Sequence, residues 1–353
     1  MKKVLFINPF GIGDMIFSLY AVQALQEVRP GIRADLLCNE RTVGLARFYP
    51  GLSRTYEFNR DRFRAVLSKD PLRFAGMHRE LVSQWRQERY DALFDYSLGR
   101  EFSFLGFLAG IPRRYGFDYK RRGFFLNKKI AFEGYEGGPV AETQLELLKL
   151  AGVEASSKGG VLGWSVSEQA EGRARILLKD APTDHWMALA PGGGQSWGAN
   201  AVFKQWGPEK FVQTAHAWAG KMGGRVLLLG DTSEKKLLED VKSRLAAPCV
   251  LVCGEELSVV ASLLKKVRFL LCNDGGLLHL AHSLGVRTVS LYGPVDEKVY
   301  GPYGQDPAHE VVTEPVSCRP CYSRFKFPPC PYEGRCLKEL SVQKVLESVH
   351  KIA

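Results

Sequence analysis

An aspartate near the start of the chain has the chemistry of a general base. Asp14 follows Gly11 and Gly13 in the pattern G-x-G-D, between a short apolar run and a helical pattern. The two glycines let the backbone turn sharply and let a ligand approach closely. Ile16 replaces the last glycine of the dinucleotide fingerprint G-x-G-x-x-G, so that fingerprint is absent. Asp14 can accept a proton from a hydroxyl group; the alternative is a helix N-cap, a role that aspartate favours.

A second glycine-rich loop lies in the other half of the chain. Gly192, Gly193 and Gly194 follow an apolar run, and consecutive backbone amides in such a loop form an anion-binding concavity. The P-loop pattern G-x-x-x-x-G-K-[ST] does not occur. Lys204 precedes the next helix and can neutralise a diphosphate; the alternative is an ordinary exposed lysine.

A third loop places glycines at the start of a helix. Asp274, Gly275 and Gly276 lie between an apolar run and a helical segment. Amides at a helix N-terminus hold anions such as a pyrophosphate. Asp274 can bind sugar hydroxyls or cap the helix. His279, within the helix, is either part of this site or a structural histidine.

Four of the eight cysteines crowd into the tail with the spacing C-x2-C-x8-C-x5-C: Cys318, Cys321, Cys330 and Cys336. The second pair is too widely spaced for a usual zinc ribbon. A structural four-thiolate zinc site, free thiols and a local disulfide are the three interpretations, and the cluster is not assigned to catalysis. The other four are predicted to be buried thiols: Cys38, Cys249, Cys253 and Cys272.

The scaffold that must position these loops is predicted to be α/β. Short apolar runs without alternation indicate strands covered on both faces, at residues 4–7, 34–38, 92–95, 114–117, 186–190, 225–229, 250–252, 269–272 and 288–292. Helical patterns separate them, including residues 14–28 and a helix opened by Pro208 and closed by Gly223. This alternation implies parallel sheets, whose ligand sites lie beyond the carboxyl ends of the strands.

A length of 353 residues suits two domains. We expect α/β domains at 1–155 and 185–336 with a ligand-binding cleft between them, a polar linker region at 156–184 and a closing helix within 337–353. Because no apolar run approaches the roughly 20 residues that span a bilayer, the chain is expected to be cytosolic.

The net charge of +10 is concentrated in one stretch of the chain. Residues 41–130 contain 19 Lys or Arg against 9 Asp or Glu, including the run Lys120-Arg121-Arg122. Such a stretch favours a polyanionic partner: nucleic acid, anionic lipid headgroups or a phosphorylated substrate. The alternative is a solvated basic face that only aids solubility.

In their joint order and spacing, these segments resemble glycosyltransferase family 9, the ADP-heptose:lipopolysaccharide heptosyltransferases. The resemblance spans nearly the whole chain. It is carried by Gly13-Asp14, Pro191-Gly192, Lys204-Gln205-Trp206 with Glu209 and Phe211, Gly230-x-x-x-Glu234, Asn273-Asp274-x-Gly276-x-x-His279-Leu280-Ala281, Gly285, Gly293-Pro294, and the tail from Cys318-x-x-Cys321 to Cys336-Leu337.

The resemblance implies a GT-B fold, in which two Rossmann-like parallel-sheet domains face an interdomain cleft. The acceptor is expected on 1–155 and the nucleotide-sugar on 185–336. It also implies an inverting transfer of heptose from ADP-heptose to the Kdo/heptose inner core of lipopolysaccharide, without a required metal or cofactor. The expected partners are the donor and a phosphorylated glycolipid acceptor, with peripheral contact at the inner membrane surface and no nucleic acid.

The resemblance also implies residue roles. Asp14 would be the catalytic base, Lys204 would contact donor phosphate, and Glu234 would bind the nucleoside through its ribose. The rest of the donor site would be Gly192, Asp274, Gly275, Gly276 and His279. The acceptor would be contacted by Gly13, Lys120, Arg121 and Arg122.

The chain departs from the family pattern in two places. Gly275 stands where family members often have a hydroxyl-bearing residue, and residues 197–203 form an insert-like stretch before Lys204. Because of these two departures the identity of the donor sugar stays open, and a nucleotide-sugar other than ADP-heptose is an alternative donor. A nucleotide-sugar epimerase of the same architecture would instead convert donor alone, and a nucleotide-sugar-binding module would not depend on Asp14. A nucleic-acid-binding module is disfavoured, because no recognised motif accompanies the charge.

Overall fold

The computed structural model describes residues 1–59, 66, 70–179, 185–194, 197–304 and 306–353. The chain forms two compact units, Met1–Ser157 and Lys158–Ala353. Each unit is built on one six-stranded sheet in which every pair of neighbouring strands is parallel. The predicted α/β class is therefore confirmed.

The first sheet has the strand order β3-β2-β1-β4-β5-β6. Its strands are β1 Lys3–Asn8, β2 Arg33–Asn39, β3 Leu52–Phe58, β4 Ala92–Asp95, β5 Arg113–Tyr119 and β6 Lys128–Phe132. The helices of this unit are α1 Ile12–Val28, α2 Glu40–Ala46, α3 Pro71–Glu88, α4 Glu101–Leu108 and α5 Val140–Leu150. Leu5 and Ile7 of β1 pack with Trp85 and Phe102 in the core beside the sheet.

The second sheet has the order β12-β11-β10-β7-β8-β9. Its strands are β7 Trp186–Ala190, β8 Arg225–Gly230, β9 Cys249–Cys253, β10 Phe269–Asn273, β11 Arg287–Tyr292 and β12 His309–Thr313. The α-helices of this unit are α6 Glu168–Leu178, α7 Pro208–Met222, α8 Lys235–Arg244, α9 Leu257–Leu264, α10 Gly276–Ser283, α11 Glu297–Tyr300, α12 Arg335–Lys338 and α13 Val342–Ile352. Short 3-10 helices lie at Gly198–Lys204 and Thr232–Glu234.

Both sheets follow the doubly wound order 3-2-1-4-5-6 when the strands of each unit are counted from its first strand. In such a sheet the strand order reverses between the first and fourth strands, and ligands bind beyond the carboxyl ends of the strands at that point. The reversal falls between β1 and β4 in the first unit and between β7 and β10 in the second. The loops after these four strands are therefore the favoured ligand-binding positions.

Several helix boundaries agree with the sequence signals. Pro208 occupies the first turn of α7, and Gly223 closes it in the left-handed region at φ 63°. Ser341 caps the final helix by accepting a hydrogen bond from the Lys344 amide. In the described residues, no helix is both long enough and apolar enough to cross a membrane.

Other features differ from the sequence predictions. The strands β3, β6 and β12 were not predicted, because each is an outermost strand with few buried positions and so lacks a continuous apolar run. The range 156–184, predicted as a linker, contains helix α6, which packs against α9; residues 180–184 lie outside the described residues. Cys38 and Cys272 are buried as predicted, whereas Cys249 and Cys253 are only partly buried.

Candidate active site and donor-binding loops

Asp14 lies in the first turn of α1, at the carboxyl end of β1. The helix begins at Ile12 and its N-cap is Gly11, so the N-cap interpretation of Asp14 is wrong. The Asn8 side-chain amide donates a 2.8 Å hydrogen bond to the Asp14 carbonyl oxygen. This bond fixes the backbone of Asp14, while its side chain is only half-buried. A carboxylate held at the strand-order reversal and open to solvent is suited to meet a substrate hydroxyl.

A buried polar network supports this turn from below. Asn8 also donates to the Ser18 hydroxyl at 2.7 Å, and Ser18 donates to the Gln144 side-chain oxygen at 3.0 Å. Burial raises the pKa of the Tyr135 hydroxyl, and the charge of the nearby Asp14 carboxylate adds to this rise. These contacts tie α1 to α5 and hold the Asp14 turn in one position.

A second carboxyl group, Asp95, ends the neighbouring strand β4 and was not singled out from the sequence. Burial raises its pKa to about 6, although hydrogen bonds from Ser97 and Ser103 oppose the shift. A pKa near 6 suits a general base, but Asp95 is only 3% exposed. Asp14 is therefore the better placed of the two to reach an acceptor.

The predicted acceptor-binding residues Lys120, Arg121 and Arg122 follow β5 at the same carboxyl edge as Asp14. All three are exposed. Lys120 and Arg121 adopt left-handed backbone at φ 51° and 57°, a conformation uncommon for residues other than glycine. The Lys120 ammonium and the Arg122 guanidinium lie over the Tyr119 ring, at 5.0 and 5.8 Å from its centroid. The turn thus presents three cations to solvent.

In the second unit, Lys204 and Asp274 form a buried ion pair. The Lys204 Nζ lies 2.7 Å from Asp274 Oδ2, and the two side chains are 7% and 8% exposed. The alternative of an ordinary exposed lysine is therefore wrong. The Trp197 ring also faces the ammonium, with its centroid 5.1 Å away. The pair joins the segment after β7 to the end of β10 at the strand-order reversal.

His279 lies beside this pair, one turn into α10. Burial lowers its pKa to about 4; the Asp274 charge opposes this shift and the Lys204 charge adds to it. The imidazole is consequently neutral at pH 7. It can donate or accept a hydrogen bond to a ligand, but it does not add positive charge to the site.

Glu234 closes the other side of the β7 loop. Its Oε1 accepts a hydrogen bond from the Gly194 amide at 3.1 Å, and its Oε2 accepts one from the Asp231 amide at 3.1 Å. Burial raises the pKa of the carboxyl, and these two amide bonds oppose the shift. A Cβ on Gly192 would lie 1.8 Å from Oε1. Gly192 is therefore required for the carboxylate to lie against this loop.

Asn273 connects three segments of the site, although the family motif that contains it implies no role for it. Its side-chain amide donates to the Pro191 carbonyl oxygen at 2.7 Å, and its side-chain oxygen accepts from the Trp206 amide at 3.1 Å. It thereby holds the β7 loop and the Lys204 segment against the end of β10. Its position directly after a predicted strand, 269–272, and just before Asp274 and two glycines is the signal that marks it.

Gly275 is the N-cap of α10 and has room for a side chain. Its φ of 174° is extended backbone that any residue adopts. A Cβ there would have one neighbour within 4 Å, the Asn273 carbonyl oxygen at 3.9 Å. Gly276 is the first residue of the helix. The missing hydroxyl at 275 is thus a feature of this sequence and not a steric requirement of the fold.

The four tail cysteines converge on one small cavity, which is also lined by Phe203 and Pro294: Cys318, Cys321, Cys330 and Cys336. All are free thiols, which disagrees with the disulfide interpretation. Within the described ranges, no group of three or more His, Cys, Asp or Glu side chains is arranged to hold a metal ion. The zinc interpretation stays a prediction, which elemental analysis of the purified protein tests.

Two doubly wound sheets, with glycine loops and a buried lysine at the strand-order reversal of the second, are the architecture of a GT-B glycosyltransferase. The structure of Escherichia coli ADP-heptose lipopolysaccharide heptosyltransferase II superimposes with a TM-score of 0.76 over 99% of this chain and 98% of that chain, at 20% identity. The sequence model of glycosyltransferase family 9 (heptosyltransferase) matches residues 78–327. The chain belongs to this family and is a glycosyltransferase.

Two curated relatives agree with this assignment. Lipopolysaccharide heptosyltransferase 2 of Salmonella typhimurium is 26% identical over 300 residues, covering 83% of each chain. Lipopolysaccharide heptosyltransferase 1 of Pseudomonas aeruginosa is 25% identical over 323 residues, covering 91% of this chain and 86% of the relative. One relative is a heptosyltransferase 2 and the other a heptosyltransferase 1. Because their identities to this chain are nearly equal, the comparison does not assign this chain to either type.

Proposed function

We propose that this protein transfers heptose from ADP-heptose to the inner core of lipopolysaccharide, with inversion at the anomeric carbon and without a required metal ion. The names of the two relatives support heptose and lipopolysaccharide, and the name of the Escherichia coli structure supports ADP-heptose. The observation that carries the proposal is the buried Lys204–Asp274 pair between two glycine loops, because its ammonium is a cation at the strand-order reversal, where we propose that the diphosphate binds. We assign the acceptor to residues 1–155 and the nucleotide-sugar to 185–336.

In the proposed reaction, an acceptor hydroxyl attacks the anomeric carbon of the donor. Asp14 takes the hydroxyl proton as the new carbon–oxygen bond forms. The bond between the anomeric carbon and the diphosphate oxygen breaks, and ADP leaves with its electron pair. A base lowers the barrier at the attacking oxygen, and a cation lowers it at the leaving group.

The donor site is proposed to divide its work among the three loops. The Lys204 ammonium neutralises the diphosphate, while the amides of Gly192, Gly275 and Gly276 donate hydrogen bonds to phosphate oxygens. The Glu234 carboxylate accepts hydrogen bonds from the ribose hydroxyls. The sugar lies against Asp274 and His279, which exchange hydrogen bonds with its hydroxyls.

One observation favours a second donor within the same class of reaction. Gly275 lacks the hydroxyl that family members often carry, and the structure leaves space for it. A different nucleotide-sugar with a bulkier or differently oriented substituent would use that space. The second candidate is therefore a family 9 transferase for another sugar, with the same base and the same leaving-group cation.

The acceptor is proposed to be a phosphorylated glycolipid at the cytoplasmic surface of the inner membrane. The exposed cations Lys120, Arg121 and Arg122 would bind its phosphates, and Gly13 would let its sugar approach Asp14. Replacing the three cations with Gln tests this role. We expect weaker acceptor binding and a smaller dependence on salt, with donor binding unchanged.

A binding panel tests the donor. Purified protein is titrated calorimetrically with ADP, UDP, GDP and CMP without added metal, and then with ADP-heptose. Selective ADP binding that is lost in Glu234→Ala, but kept in the exposed control Glu239→Ala on the adjoining helix, supports the proposal. Preference for UDP or GDP would retain the transferase and reject heptose as the sugar. Conversion of donor without acceptor would indicate an epimerase, and an absence of nucleotide binding would reject the donor site.

A further inference from the structure

Four phenylalanines form a cluster at the surface of the first unit, here called the aromatic patch: the exposed Phe104, Phe107 and Phe124, and the half-buried Phe125 that they contact. Phe124 is 82% exposed, Phe107 52% and Phe104 38%. The neighbouring Leu108 is 38% exposed. Single exposed apolar residues are ordinary, whereas a contiguous exposed patch marks an interaction surface.

The ring contacts show that the patch is continuous. The Phe125 centroid lies 4.7 Å from that of Phe104, 5.9 Å from Phe107 and 5.1 Å from Phe124. The Phe125 carbonyl oxygen accepts a 2.7 Å hydrogen bond from Arg114 Nε, which fixes the loop that carries it. The patch is therefore a defined surface joining α4 to the loop between β5 and β6.

Basic residues surround the aromatic patch. The Arg114 guanidinium lies 5.4 Å from the Phe107 ring centroid, and Arg86 donates to the Leu108 carbonyl oxygen. Exposed cations precede and follow the aromatic loop and begin β5: Arg113, Arg121, Arg122 and Lys128.

Two carboxylates lie on the elements that carry the patch. Asp118 accepts from the Gly123 amide and pairs with Lys129 at 2.8 Å, so its charge is balanced. Glu101 lies 3.1 Å from His78, which balances it only when the imidazole is protonated. The six arginine and lysine side chains named above outnumber this one carboxylate, so the surroundings of the patch are net positive.

We propose that the aromatic patch and its basic rim dock the protein on an anionic lipid bilayer. Phenylalanine side chains would enter the boundary between headgroups and acyl chains, and the cations would contact the anionic headgroups. Charge complementarity selects this occupant over a neutral one. A bilayer fits better than single-stranded nucleic acid, because the rings gathered around Phe125 and the exposed Leu108 beside them form one continuous apolar surface instead of separate platforms for base stacking.

This inference deepens the proposed function, since a glycolipid acceptor lies in such a membrane. It is nevertheless independent in its test, because vesicle binding requires neither donor nor turnover. A protein that binds vesicles through the patch but uses another sugar would retain the inference and reject the donor proposal. A protein that transfers heptose but does not bind vesicles would retain the donor proposal and reject the inference.

Vesicle co-sedimentation tests the docking surface. The full chain is mixed with vesicles of phosphatidylcholine alone, or of phosphatidylcholine with phosphatidylglycerol, at low and high salt. We expect binding to the anionic vesicles that weakens as salt rises. The double variant Phe107→Ser/Phe124→Ser should bind these vesicles at least about tenfold more weakly, because two apolar side chains no longer enter the bilayer. The pair Arg113→Gln/Lys128→Gln should reduce binding and its salt dependence.

The control is Ile176→Ser, which removes an apolar side chain that is 69% exposed in the second unit. It should bind vesicles as the unaltered protein does. Turnover of a lipid-free acceptor fragment should be unchanged in the phenylalanine variants, which also shows that they fold. Equal binding by all variants, equal binding to neutral and anionic vesicles, or binding to single-stranded RNA but not to vesicles would overturn the proposal.

Discussion

The ammonium of Lys204 lies 2.7 Å from the carboxylate of Asp274, and both side chains are almost completely buried. Two charges withdrawn from water are tolerated because each neutralises the other. The pair therefore has a structural role in addition to its proposed role in the donor site. An incoming diphosphate would compete with Asp274 for the same ammonium.

Loss of one member of this pair should destabilise the second unit. Lys204→Met leaves the Asp274 carboxylate buried without its cation, so we expect the free energy of unfolding to fall by about 3–5 kcal/mol. Lys204→Met/Asp274→Leu removes both charges and should recover most of that loss. Urea denaturation measures each variant. The double variant should still bind ADP poorly, which separates the lysine's role in binding from its role in folding; ADP affinity restored along with stability would contradict the proposed phosphate contact.

A methyl group at Gly192 should act through Glu234. Because a Cβ would lie 1.8 Å from the Glu234 carboxylate, Gly192→Ala should displace that carboxylate from the Gly194 and Asp231 amides. We expect ADP affinity to fall about as far as in Glu234→Ala, with little further loss in the double variant, since interacting residues are not additive. Gly220→Ala is the control, because it has open space around the added Cβ. Additive losses would show that the two residues act separately.

A hydroxyl at position 275 should be accepted by the fold. Gly275 is an N-cap without a side-chain hydrogen bond, and serine is a preferred N-cap residue, so Gly275→Ser should raise the free energy of unfolding by a few tenths of a kcal/mol. The same hydroxyl would face the proposed donor sugar and change the relative affinities for nucleotide-sugars. Thermal denaturation and competition between donors measure the two effects. A destabilised Gly275→Ser protein would contradict the space assigned to this position.

Buried histidines should make the protein less stable in mild acid. Burial lowers the pKa of His279 to about 4 and that of His282 to about 3, whereas the unfolded chain titrates near pKa 6.5. Below about pH 6.5 each of these histidines is protonated in the unfolded state but not in the folded state. The free energy of unfolding therefore falls by about 1.4 kcal/mol for each histidine with every pH unit of acidification.

The comparison with His279→Gln isolates one of these contributions. Asp95, whose pKa is raised to about 6, contributes a slope of the opposite sign but is common to both proteins. Urea denaturation between pH 7.5 and 5 should give a shallower dependence in the variant, by about one proton. Identical slopes would place the His279 proton affinity at its ordinary value.

The sequence predicted the inner strands of both sheets and one outermost strand, β9, whose residues are all apolar. The central strands β1, β7 and β10 are continuous apolar runs because helices cover both of their faces. The outer strands β3, β6 and β12 have at most two buried positions each and include charged residues, so no continuous apolar run distinguishes them from loops.

The sequence predicted which loops hold the site residues, but not which of these residues contact one another. The glycines and Asp274 are visible because they follow predicted strands. That Lys204 is buried against Asp274, and that Asn273 bonds to both Pro191 and Trp206, depends on contacts across 67 to 82 residues of sequence. The start of α1 shows the same limit: the helix begins two residues before Asp14 and takes Gly11 as its cap, so the N-cap alternative that local propensity offered for Asp14 is wrong.

Asp14 is proposed to deprotonate the acceptor in a glycosyl transfer. The most direct measurement is the single-turnover transfer rate of Asp14→Asn with donor and acceptor saturating, alongside calorimetric donor binding. The control is Glu27→Gln, which alters an exposed carboxylate on the same helix. We predict a rate lower by about 100-fold or more for Asp14→Asn, with unchanged donor affinity and a control that behaves as the unaltered protein. Transfer at the unaltered rate by Asp14→Asn would contradict the assignment of the base.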